Sequence, residues 1–167
     1  LTTDVEAARA FLRALDPGTV PQQGTNLAAA LEVARNLFQG EAEDDEDAAT
    51  AGRVLVLITD GEDHEGGLEG PAKTLREMGV RSLVLGVGDT LGEPIPLTTP
   101  DGRTLGYKKD RQGETVMTRL DPKLLQTVAE TLGGRFVDAK ATRDLGVSEL
   151  RALVDSLSPG NMYSICE

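Results

Sequence analysis

The sequence predicts an α/β fold in which a parallel sheet is covered by helices, and three observations carry that prediction. Val54-Leu55-Val56-Leu57-Ile58 is an unbroken apolar run with no polar alternation, the pattern of a strand buried on both faces. A second run, Leu83-Val84-Leu85, follows a stretch with helical spacing, which gives a strand-helix-strand unit. The first run stops abruptly at Asp60-Gly61, and in open α/β sheets ligands gather beyond the carboxyl ends of the strands. Asp60 therefore stands where such a fold keeps its chemistry.

Taken in order, Thr3 or Asp4 caps a first helix with Val5, Ala8, Leu12 and Leu15 at helical spacing, ended by Asp16-Pro17-Gly18. Turn residues 20–26 lead into a second helix carrying Leu27, Ala30, Leu31, Ala34, Leu37 and Phe38 on one face. That places Thr25 at a helix N-terminus, where a hydroxyl caps the backbone or faces a ligand. Residues 41–52 hold a block of acids that repel one another and bury nothing, and they read as a solvated loop. A calcium site would need spaced oxygens around a glycine turn, and the consecutive acids lack that spacing.

After the central apolar run, Leu68, Ala72, Leu75 and Met78 mark a third helix closed by Gly79, and residues 81–87 form the second buried strand. Residues 93–119, with Pro94, Pro96 and Pro100 and turn signals at Asp101-Gly102 and Gln112-Gly113, break the rhythm and predict a β-hairpin insertion between strands at 103–108 and 114–118. Asp121-Pro122 opens a helix with Leu124, Leu125, Val128 and Leu132 inward and Gly133-Gly134 at its end. A short strand at 135–138 and a last helix with Val147, Leu150, Leu153, Val154 and Leu157 complete the domain, assigned to residues 1–160. The tail 161–167 has no period and reads as unstructured.

The chain's 167 residues fit one domain with one core, and its 39% hydrophobic content with 3% aromatic residues and no Trp makes that core aliphatic. A net charge of -11 argues against nucleic acid, because phosphate binding wants basic surface. No apolar run is long enough to cross a bilayer. The single cysteine, Cys166, cannot form an internal disulfide.

Three constellations compete for the chemistry. Thr25 and Asp60 could share a hard cation, Mg2+ or Mn2+, or Thr25 simply caps its helix and Asp60 simply ends its strand. The acids around the sole histidine, His64, suggest a general base, yet no serine or cysteine stands in an activating context, so His64 reads as a surface residue. The glycine-rich run 86–92 lacks the lysine of a P-loop and leads into prolines rather than a helix, so it is no phosphate cradle.

Gln23-Gly24-Thr25-Asn26-Leu27 before a helix, Val56-Leu57-Ile58-Thr59-Asp60-Gly61-Glu62-Asp63-His64 after a strand, Leu85-Gly86-Val87-Gly88 and Ile95-Pro96-Leu97 together resemble a von Willebrand factor type A domain, and within it the bacterial Bat proteins named for aerotolerance. The likeness runs from about residue 1 to about residue 157. It implies a Rossmann-like, doubly wound sheet flanked by helices, and a metal-ion-dependent adhesion site in which an Asp-x-Ser-x-Ser motif joins a Thr and an Asp from later loops. By motif those two fall on Thr25 and Asp60. It further implies a non-catalytic module that binds a protein partner through a carboxylate ligand to the metal, in a family anchored in the bacterial inner membrane.

No Asp-x-Ser-x-Ser occurs in the sequence, and the likeness starts only after the family's third strand. The resemblance therefore implies an N-terminally truncated domain, a half sheet of three main strands, and weak or absent metal binding. The strand at 54–58 is then expected to be an exposed edge that invites a cover: a second copy, a swapped element or the rest of a longer protein. Glu62, Asp63 and His64 would shape the rim of the site. A metal-dependent hydrolase or phosphotransferase using Asp60, or a structural remnant without metal binding, are the rival readings.

Overall fold

A computed structural model describes residues 4–15, 25–44, 52–63, 66–99 and 101–157. The expected tail 161–167, together with His64 and Glu65, lies outside the described residues. The sheet consists of β1 (Val54–Thr59), β2 (Arg81–Gly86) and β7 (Arg135–Asp138) in the order β1-β2-β7, all parallel. Val54 pairs with Arg81 and Thr59 with Gly86; on the other side Leu83 pairs with Arg135 and Gly86 with Asp138. Parallel neighbours need crossovers, and helix α3 (Glu69–Glu77) supplies the one between β1 and β2.

Central strand β2 shows why both faces are covered. Its side chains alternate: Val84 enters a cluster with Leu27 and Leu31 of α2 (Leu27–Asp44), Leu75 of α3, and Leu125 and Val128 of α4 (Pro122–Thr131). Leu83 and Leu85 point the other way, to Val137 of β7 and to Leu150 and Leu153 of α5 (Val147–Asp155). Each fully buried leucine or valine of this kind contributes ~1.5–3 kcal/mol, so the aliphatic core, not aromatic bulk, holds the layers together.

β1 differs from the sequence expectation of a strand buried on both faces. Its residues are half-buried and Ile58 is 65% exposed, because β1 pairs only with β2 among the described residues and forms the sheet edge. The three-stranded sheet and this edge agree with the expectation drawn from the resemblance.

The helix ends follow local chemistry. Asp4 caps α1 (Val5–Ala14) by accepting from the amides of Glu6 and Ala7 at 2.9 and 3.0 Å. Asp121 does the same for α4, with Pro122 at the first turn, where its missing N–H costs nothing. Helix α1 buries none of its residues, and Phe11, Leu12 and Leu15 lie exposed. Helix α2 corrects the reading of 41–52 as a loop, since it continues to Asp44. Alanine and glutamate are strong helix formers, and extending a helix already anchored by Leu27 and Leu31 fixes few new dihedrals per bond gained. The remainder of that acidic block, 45–51, lies outside the described residues.

The insertion is also more than one hairpin. Strand β4 (Pro96–Thr98) pairs antiparallel with β5 (Thr104–Tyr107), and β3 (Glu93–Pro94) pairs with β6 (Met117–Thr118). The expected pairing of the two later segments survives as a bridge between Lys109 and Thr115, with the Val116 amide donating to Lys108 O. Proline at 94, 96 and 100 removes donors that a regular ladder needs, which breaks the excursion into short pieces. A short 3-10 turn, Ala139–Ala141, that the sequence pattern did not reveal follows β7.

Candidate functional site

The carboxyl end of β1 turns sharply at Gly61, whose φ of 85° suits glycine. The turn is tied by side chains: Thr59 Oγ1 accepts from the Gly61 amide at 3.1 Å and Asp60 Oδ1 from the Glu62 amide at 3.1 Å. A Cβ on Gly61 would come within 3.1 Å of the Leu125 side chain, so α4 packs directly under the loop. At the end of β2, a Cβ on Gly86 would stand 2.8 Å from the Phe136 ring, and glycine keeps this rim narrow.

The other oxygen of Asp60 is held from far along the chain. Thr118 donates its hydroxyl proton to Asp60 Oδ2 at 2.8 Å, the Arg119 amide donates to Glu62 Oε1 at 2.8 Å, and the Asp121 amide donates to Asp60 O at 2.9 Å. Asp60 is thus fixed in orientation by the last residues of the insertion. Sequence reasoning missed Thr118, because it ends a predicted strand far along the chain and nothing local links it to Asp60.

Thr25 sits exposed just before α2. The helix is capped by its neighbour, Asn26, whose Oδ1 accepts from the Ala29 amide at 2.7 Å. The Thr25 hydroxyl is therefore not needed for the cap. Thr25 and Asp60 line one open cavity of about 560 Å³, with Leu27 and Ala30 from α2, Ile58 from β1 and Val87 beyond β2. A second cavity of about 330 Å³ lies at the amino ends of the strands, between Arg81, Gly134, Glu149 and Leu153. Position favours the first, since ligand chemistry in this class of sheet gathers at carboxyl ends.

Next to the site, the loop after β2 is braced by an ion pair. Lys140 Nζ lies 2.8 Å from Asp89 Oδ2 and 3.9 Å from Glu93 Oε1. The Lys140 ammonium, followed by the Leu91 amide, holds the Asp89 carboxyl below its usual value of 3.8, and Asp89 in turn raises Lys140 above 10.5. The Leu120 amide donates to Asp89 O at 3.0 Å, so this loop and the end of the insertion are tied as well.

As a donor set, Thr25 and Asp60 offer one hydroxyl and one carboxylate. No group of three or more His, Cys, Asp or Glu that could hold a metal occurs among the described residues. Mg2+ demands six oxygens in near-octahedral order, so these two residues fit a cation that keeps most of its waters and do not fit a tightly held one.

The von Willebrand factor type A domain family matches residues 1–99. An aerotolerance-related membrane protein from Bacteroides fragilis NCTC 9343, crystallised with multiple mutations to serines, superposes with a TM-score of 0.75 at 30% identity, covering 92% of this chain and 70% of its own. The conserved hypothetical protein BatB from Bacteroides thetaiotaomicron superposes with a TM-score of 0.74 at 32% identity, covering 93% and 72%. No curated protein matches. A parallel sheet covered on both faces, a matched family spanning more than half the residues and two such neighbours lead to one conclusion: the chain belongs to the von Willebrand factor type A domain family, in its Bat, aerotolerance-related branch.

Proposed function

We propose that this domain is a non-catalytic protein–protein interaction module that engages a partner's carboxylate through a divalent cation, Mg2+ or Mn2+, held weakly by Thr25 and Asp60. Domains of this family act in general as interaction modules, and that much follows from membership. The observation that carries the finer reading is the shared cavity: Thr25, whose hydroxyl is not needed for the cap, and Asp60, whose carboxylate is held in orientation, both line the space at the end of β1.

A bound cation would supply a positive charge that a partner's acidic side chain can complete. Thr25 would contribute a neutral oxygen and Asp60 the balancing negative charge. The hydrogen bonds from Thr118 and the Glu62 amide support Asp60 as an oriented ligand rather than a mobile base. Both neighbours are Bat-related and one is described as a membrane protein, which supports a membrane-associated setting. No helix among the described residues is long and apolar enough to cross a membrane.

The test is a titration with Mn2+ followed by water-proton relaxation. The expected result is binding weaker than about 100 μM, in keeping with two protein oxygens on a hydrated ion, and a further loss on Thr25→Val or Asp60→Ala. A saturable micromolar site, or binding that neither substitution alters, would overturn the assignment.

A further inference from the structure

The insertion carries charge unlike the rest of the molecule. Residues 93–119 hold five Lys and Arg against four Asp and Glu, whereas the whole chain holds 17 against 28. Three of the insertion's four acids, all but Glu114, are also engaged locally. Asp101 pairs with Arg103 at 3.0 Å, Asp110 Oδ1 accepts from the amides of Gln112 and Glu114, and Glu93 lies within reach of Lys140. Lys108, Arg111 and Arg119 have no acidic partner within ion-pair distance among the described residues.

Apolar side chains are exposed on both faces of the β4–β5 ribbon, Leu105 and Tyr107 on one and Leu97, opposite Gly106, on the other. Leu97, Leu105 and Tyr107 on the β4–β5 ribbon are half exposed or more, and neither strand buries a single residue. A two-stranded ribbon of this kind adds little to stability by itself, so its exposed leucines and tyrosine are not there to fill a core. The end of the insertion, at Thr118 and Arg119, is nonetheless anchored to the loop that carries Asp60 and Glu62.

We infer that the 93–119 insertion is the arm that reads the partner, and that what it reads is an acidic segment carrying apolar side chains. This rests on the interaction-module reading above and names the chemistry of the partner. Charge complementarity supports this: unmatched cations on the arm attract acids, while the net negative charge of the rest of the chain disfavours an acidic segment elsewhere. The exposed leucines and tyrosine of the ribbon give apolar side chains of the same segment a place to bury. A segment arriving on this arm is delivered to the loop of Asp60, where one of its carboxylates meets the cation of the proposed site.

The experiment is fluorescence anisotropy with three short fluorescein-labelled peptides, alternating glutamate–leucine, glutamate–serine and lysine–leucine, in EDTA so that no divalent cation takes part. The glutamate–leucine peptide is expected to bind best, with affinity falling as salt rises. Lys108→Glu with Arg111→Glu should weaken it at least about tenfold by reversing the attraction. The milder pair Lys108→Gln with Arg111→Gln gives a smaller loss in the same direction and guards against misfolding, which a circular dichroism melt checks. The peptides are read in EDTA while the cation site is read by the Mn2+ titration, so failure of the cation site and failure of the arm are told apart. Equal or tighter binding of the lysine–leucine peptide, undiminished binding by both variant pairs, no binding of the glutamate–leucine peptide at low salt, or sedimentation showing that the arm is covered by a second copy would each overturn the inference.

Discussion

Asp60 owes its role to the company it keeps. Its two carboxylate oxygens accept from Thr118 and the Glu62 amide, and its own carbonyl accepts from Asp121, so its own loop and the 118–121 segment together hold the residue in place. The nearby pair of Asp89 and Lys140 lends itself to a pH test. Asp89 has a folded value below its ordinary 3.8, so its contribution is complete above that value and is lost as pH falls through the lower one. Lys140 is raised above 10.5, so its contribution is complete below 10.5 and is lost as pH climbs through the folded value. Replacing Lys140 by methionine should lower the melting temperature at pH 7, and the gap to the parent should close below pH 3.8. Thermal melts across pH 2 to 8 measure it, and a gap constant over that range would show that the pair contributes nothing to the fold.

At the scale of elements, close approach between strands sets the tightest constraint. A Cβ on Gly134 would lie 2.3 Å from the Ser82 carbonyl oxygen, a backbone atom that cannot swing aside. Gly134→Ala should therefore push β7 away from β2 and cost about 1–3 kcal/mol or more, read from the urea midpoint. A midpoint unchanged from the parent would mean that this end of β7 yields freely. Much of this architecture was legible in the sequence. The apolar runs of β1 and β2, Asp121-Pro122 before α4 and Gly79 after α3 each announce themselves through local chemistry, and they are found where their residues imply. What was not legible depends on distance along the chain. Thr118 reaches Asp60 across 58 residues, and no local pattern encodes such a bond. The helical run into Asp44 was hidden because charge repulsion argued for a loop while helix propensity, acting on an anchored helix, argued the other way. The half-exposed state of β1 could not be read from its residues, since an apolar run looks alike at the edge and at the centre.

At the scale of the whole molecule, the edge of β1 is the place where a second copy could add a strand. Val54–Thr59 presents one side of its backbone with no partner among the described residues, and Ile58 stands exposed beside it. Natural sheets blunt such edges with charge. Ile58→Lys should reduce any concentration-dependent self-association seen by sedimentation while changing stability by less than about 0.5 kcal/mol, since the residue lies outside the core. Self-association that persists unchanged in this variant would direct attention to another surface.

The rung between Glu93 and Thr118 has a wider consequence. The chain leaves the domain body and rejoins it at neighbouring points, so the excursion is topologically silent. Doubling the length of such a detour costs only about 0.6 kcal/mol in closure entropy. Sequence and length in this cassette can therefore vary without renegotiating the scaffold beneath it.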